Sequence, residues 1–146
     1  MFIGTQICLG TKTLSVIFPL QLCLAAKHGR WFLDSGCSRH MTRDKEKFSN
    51  LEVKDGGKVI FGGKEKGKII GQGKVSEDSS YSVDDVLLVE GLNYNLLSIS
   101  QLCDKGLRVI FEFNKCKVVD IQKNEVKLEG QRINDVYVID LKFFKK

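Results

Sequence analysis

Trp31-Phe32-Leu33-Asp34-Ser35-Gly36-Cys37-Ser38-Arg39-His40-Met41-Thr42 runs from an apolar strand straight into a tight turn, with an acid at the junction. A buried strand ending at Asp34 would deliver a carboxylate to the end of the sheet. Ser35 offers a hydroxyl to the adjacent loop, and Gly36 lets the backbone come close without a Cβ clash. Taken as three residues, Asp-Ser-Gly is also an ordinary β-turn. The surroundings have to decide between the two.

Outward from this segment the chain consists of short apolar runs broken by glycine or polar turns, the pattern of strands rather than long helices. Residues 58–61 and 68–75 flank Gly62-Gly63-Lys64-Glu65-Lys66-Gly67, which predicts a hairpin with a glycine-bounded, mobile tip. Residues 83–89 read as a buried strand. One helix is signalled over 98–105. Ser98 and Gln101 stand at capping-box spacing, Ile99, Leu102 and Cys103 share a face, and Gly106 supplies the stop. After it Val109, Phe111 and Phe113 alternate with Arg108, Ile110 and Glu112, and the runs 115–121, 125–129 and 135–141 complete a meander. No internal repeat or low-complexity linker interrupts it. A soft boundary is expected near Gly130, before a basic tail ending in Phe143, Phe144, Lys145 and Lys146.

At 146 residues the chain fits one ordinary domain. Its 42% hydrophobic and 28% charged content belongs to a globular protein, neither disordered nor membrane-spanning. Fourteen glycines and a single proline, Pro19, leave turn-making mainly to Gly, Asn and Asp, which suits many short strands. The net charge of +5 invites a nucleic-acid reading. The lysines after Asp44 are interleaved with acids and glycines, however, so a solvated surface is expected and nucleic-acid binding is not. Cys8, Cys23, Cys37, Cys103 and Cys116 are widely spaced and odd in number. They suggest neither a disulfide framework nor a zinc site, and no metal or cofactor is expected.

The apolar stretch 14–26 imitates the core of a signal peptide with Ala25 or Ala26 at the cleavage position. Only Lys12 precedes it as a positive charge, Pro19 and Gln21 interrupt it, and it is too short to span a bilayer. Neither a signal peptide nor a membrane anchor is expected.

The whole segment 31–42 resembles the Trp-x-x-Asp-Ser-Gly-x-Ser-x-His-Met stretch that opens the protease of copia-type retrotransposon Pol polyproteins. The resemblance continues through Val59-Ile60-Phe61-Gly62, Lys68-Ile69-Ile70-Gly71-Gln72-Gly73, Val86-Leu87-Leu88-Val89 and Asn95-Leu96-Leu97-Ser98-Ile99-Ser100-Gln101-Leu102. It implies an all-β fold, a small closed β-barrel of the retroviral aspartic-protease type with one short helix. The domain would occupy 28–130, after a leader of uncertain origin over 1–27 and before a truncated pre-integrase junction over 131–146.

The same resemblance implies an aspartic endopeptidase that acts as a homodimer on polyprotein peptides, because one Asp-Ser-Gly per chain supplies only one of the two carboxylates. Asp34 would be catalytic, with Ser35 and Gly36 supporting its loop. Phe61, Gly62, Gly63 and Gly67 would belong to a substrate-binding flap, with 71–73 as the other placement of its tip. Leu96, Leu97 and Ser98 would brace the catalytic loop, although Ser98 stands where retroviral enzymes carry glycine, which puts close packing there in question. A cytoplasmic location is implied, inside a virus-like particle if the element is active.

Other readings of single residues are weaker. With no second His or Cys nearby, His40 reads as a structural hydrogen-bonding group rather than a metal ligand. Cys37 lacks a His-Asn partner and reads as a small residue under the turn rather than a nucleophile. A catalytically silent retroelement-derived barrel with a structural role is the alternative function.

Overall fold

Trp31 and Leu33 face one side of the first strand and Phe32 the other, and all three are buried, so β1 (Arg30–Asp34) lies inside a sheet covered on both faces. The structure is a computed structural model and describes residues 29–61, 65–76 and 81–141. The expected leader over 1–27, the apolar stretch within it, Gly62, Gly63 and the basic tail lie outside the described residues.

After β1 come β2 (His40–Thr42), a 3-10 turn (Lys45–Lys47) capped by the Asp44 side chain, β3 (Phe48–Val53), β4 (Lys58–Phe61), β5 (Glu65–Val75), β6 (Val83–Glu90) and β7 (Asn95–Ser98). The helix α1 (Ile99–Asp104) leads to β8 (Leu107–Phe111), β9 (Lys115–Asp120), β10 (Glu125–Ile133) and β11 (Val136–Asp140). The strands form one mixed sheet in the order β3-β5-β6-β2-β7-β1-β11-β10-β9-β8, with β4 paired to β5 beside β3. At its centre β1 runs parallel to β7, β7 antiparallel to β2, and β2 parallel to β6. The last four strands are the meander expected from the sequence.

The expected closed barrel is not formed. Hydrogen bonds do not join the edge strands β3 and β8, so the sheet stays open. Its curvature nevertheless brings both wings to one core. Trp31, Leu33, Leu97, Leu128 and Ile139 pack in a cluster that also holds Val75 and Val86 from one wing and Leu107, Cys116 and Val118 from the other. Phe32, Met41, Leu87, Leu96 and Val138 form the second cluster on the opposite face.

The helix obeys its sequence signals. Ser98 is the N-cap, its side chain accepting from the Gln101 N–H, and Gly106 follows with a φ of +83° that an L side chain rarely adopts. Among the described residues this is the sole α-helix. It is too short to cross a membrane, and none of the described helices is long and apolar enough to do so.

Two expectations are corrected. Residues 71–73 are not a hairpin tip: they lie inside β5, paired with β3 on one side and β6 on the other. A Cβ on Gly73 would stand 1.9 Å from the Asn50 carbonyl oxygen, which is why the strand carries glycine there. The alternation through Phe113 stops early, since β8 ends at Phe111 and Phe113 is 87% exposed in the turn to β9. Gly130 lies inside β10, and the following β11 pairs with β1 and buries Tyr137, Val138 and Ile139.

Candidate functional site

The core carries few polar side chains, and their placement is not scattered. Among the described residues those that are buried are Asp34, His40, Thr42, Asn95, Ser98 and Gln101, all on β1, β2, β7 or α1. Buried polar groups cost free energy unless bonded, so such a concentration requires a connected network.

Asp34 ends β1, is 0% exposed, and stands opposite Ser98 in the pairing with β7. It is the one buried carboxylate among the described residues. The Gly36 N–H donates to its Oδ1 at 2.8 Å, and the Cys37 thiol donates to Oδ2 at 2.9 Å. Each carboxylate oxygen is thus met by a donor from the turn that follows it. Ser35 is half-buried and Gly36 is exposed, so the turn itself reaches the surface.

Ser98 resolves the question raised by the missing glycine. Its hydroxyl donates to the Cys37 carbonyl at 2.6 Å while accepting the Gln101 N–H at 3.2 Å, so one side chain both caps α1 and clamps the turn. The Ser98 N–H in turn donates to His40 Nδ1 at 2.9 Å. The Gln101 side chain completes this end, accepting from the His40 N–H at 2.8 Å and donating to the Asp85 carbonyl at 3.0 Å. At the other end of the same strands Thr42 donates to Asn95 Oδ1 at 2.6 Å, and Asn95 Nδ2 donates to the Arg30 carbonyl at 3.2 Å.

His40 is held neutral. Burial lowers its pKa from 6.5 to about 4, with Arg39 and Lys105 adding to the effect and Asp85 opposing it. Because Nδ1 accepts from an N–H, the ring proton resides on Nε2. Cys116 lies elsewhere in the core, and burial pushes its thiol up to about 12, so it is inert as a nucleophile. Among the described residues no three His, Cys, Asp or Glu side chains come together as a metal site.

The remaining sequence-derived residues are distributed as follows. Leu96 and Leu97 are buried on opposite faces of β7, directly beside Phe32 and Leu33 in the pairing with β1. Phe61 is buried in the same cluster as Cys37, Phe32 and Met41, and Gly67 pairs with Val59 across the β4–β5 hairpin. A cavity of about 200 Å³ is lined by His40 together with Tyr81, Asp84, Leu102, Lys105 and Asp120 among others, and Asp34 does not line it. Sequence reasoning underrated Gln101 and Asn95. A polar residue inside an apolar run such as Asn95-Leu96-Leu97 was the available signal, and its pairing partner lay more than fifty residues away.

A comparison with family models matches residues 31–107 to the Pol polyprotein, beta-barrel domain. Searches of curated proteins and of solved structures return no match. The matched stretch covers 77 of the 146 residues and runs from Trp31, the second residue of β1, through the whole of α1, including every buried polar residue of the network.

Proposed function

We propose an aspartic endopeptidase activity, exerted as a homodimer on polyprotein peptides, for this chain, which belongs to the Pol polyprotein beta-barrel domain family. The observation that carries the proposal is Asp34 itself, a buried carboxylate delivered by the central strand into an Asp-Ser-Gly turn and held at both oxygens. Two such turns, one from each subunit, would bring two carboxylates together. Like charges at that distance cannot both ionise, so the pair would share a proton, as in the handed-down pattern of aspartic proteases.

In that arrangement the ionised carboxylate takes a proton from a bound water as its oxygen attacks the peptide carbonyl carbon. The protonated partner donates to the carbonyl oxygen. As the tetrahedral diol collapses, the carboxylate that had given up its proton takes one from a diol hydroxyl while the other passes its proton to the departing nitrogen; the C–N bond breaks, and the pair again holds a single proton. The β4–β5 hairpin supports a flap in this reading, since a strand-like lid could add backbone hydrogen bonds to an extended peptide. The chemistry calls for no cofactor, and a cytoplasmic location follows from the resemblance to retroelement proteases.

A second reading has its own support. The Asp34 carboxylate is fully enclosed in the single chain, with donors of its own turn on both oxygens, which equally suits a catalytically silent domain in which Asp34 only secures the turn. Incubation of a peptide library with the wild type and with Asp34→Asn separates the two. Cleavage by the wild type alone supports the peptidase. No cleavage by a demonstrably dimeric wild type favours the silent domain.

A further inference from the structure

We infer that Cys37 and His40 are positioning residues for the Asp34 carboxylate, Cys37 by direct contact and His40 by way of Ser98 and Cys37. The inference deepens the peptidase reading and rests on it for its catalytic consequence. Four buried residues form one continuous series: the Cys37 thiol donates to Asp34 Oδ2 at 2.9 Å, the Ser98 hydroxyl to the Cys37 carbonyl at 2.6 Å, and the Ser98 N–H to His40 Nδ1 at 2.9 Å. His40 is itself fixed at its backbone by Gln101 Oε1 at 2.8 Å. Every link is closed off from solvent, so water cannot replace a lost partner and the loss is transmitted as a shift of the next group.

The chemistry of each link is specific. His40 acts as an acceptor at Nδ1, a role that its neutral state allows and that a hydrocarbon of similar size cannot fill. Cys37 acts as a donor to Oδ2, so it biases the orientation of the carboxylate as a whole. A histidine that merely filled space would tolerate an apolar replacement of similar volume.

Two matched pairs of substitutions test this in the full chain. His40→Asn places an amide oxygen near the position of Nδ1, and Cys37→Ser keeps a donor; His40→Leu and Cys37→Ala remove the acceptor and the donor. With circular dichroism confirming folding, kcat on a cleaved peptide should fall about a hundredfold in His40→Leu and in Cys37→Ala with KM little changed, the size of effect expected from a displaced catalytic group. The conservative partners should stay close to the wild type. Equal losses in both members of a pair, or a folded His40→Leu with wild-type kcat, would overturn the inference.

If the wild type cleaves nothing, the peptidase reading fails separately, and the ¹³C chemical shift of the Asp34 carboxyl carbon decides the positioning claim. Movement of that signal in His40→Leu and Cys37→Ala, with none in His40→Asn and Cys37→Ser, supports it. A signal unmoved by any of the four overturns it. Should His40→Leu fail to fold, the same readings on His40→Asn and the Cys37 pair remain decisive.

Discussion

Asp34 and Ser98 face each other as paired residues of two parallel strands, β1 and β7, and a hydrogen bond from the Ser98 hydroxyl to the Cys37 carbonyl ties the turn after Asp34 to the start of α1. A glycine at position 98 would allow the same close approach of backbones. Serine at 0% exposure achieves it and adds two hydrogen bonds, one to the turn and one to the helix.

Ser98→Ala should therefore cost more than an ordinary helix cap. Removing the hydroxyl leaves both the Gln101 N–H and the Cys37 carbonyl without their partner in a buried site, so a loss of about 2–3 kcal/mol is expected. Urea denaturation should show a lower midpoint with an unchanged slope. A change within a few tenths of a kcal/mol would mean that the clamp contributes little.

Asp34→Asn should leave the fold intact and abolish cleavage. The amide oxygen can still accept from Gly36, and the amide N–H₂ can turn toward the Cys37 sulfur, a weak acceptor, so the expected cost in stability is about 1 kcal/mol. What the amide cannot do is share a proton across a pair or take one from water. A variant that is folded by circular dichroism and cleaves at the wild-type rate would locate the activity elsewhere.

Specific activity should rise with protein concentration over the range in which sedimentation shows monomer passing into dimer, because one chain holds a single Asp34. Activity per mole that stays constant on dilution into the monomer range would exclude the two-chain mechanism.

The strand that carries Asp34, the β4–β5 hairpin, the helix with its Ser98 cap and Gly106 stop, and the final meander were all legible, because each has a local signal that secondary structure must obey. The strand β2 was not. Its three residues, His40, Met41 and Thr42, are too few to show alternation, and two of them are polar; they are buried because β6 and β7 flank them. For β3 the alternation is lost at the sheet edge, where a register shift falls between Phe48 and Asn50. Whether β3 meets β8 is a long-range matter that no local pattern encodes. The site shows the same division: Asp34 announces itself by its turn, whereas the roles of His40 and Gln101 depend on partners 58 and 61 positions away.

His40 also sets a pH dependence whose sign is fixed by its burial. Its pKa is about 4 in the folded chain against 6.5 for an ordinary histidine, so between those values the unfolded chain binds a proton that the native chain does not. Stability from this residue is fully present above pH 6.5 and is lost as pH falls to about 4, by on the order of 3 kcal/mol in total. Below about 4 the native ring protonates as well, and Nδ1–H then confronts the Ser98 N–H, donor against donor. A proton-sharing pair of carboxylates calls for mildly acidic solution, so the peptidase would work in the interval where the network around it is already weakening. Urea denaturation at pH 7 and at pH 4.5 should show a larger loss for the wild type than for His40→Asn, which has no titrating ring at that position. An NMR titration of the His40 ring gives the direct check: a midpoint near 6.5 in the folded protein would remove both the stability effect and the reason for it.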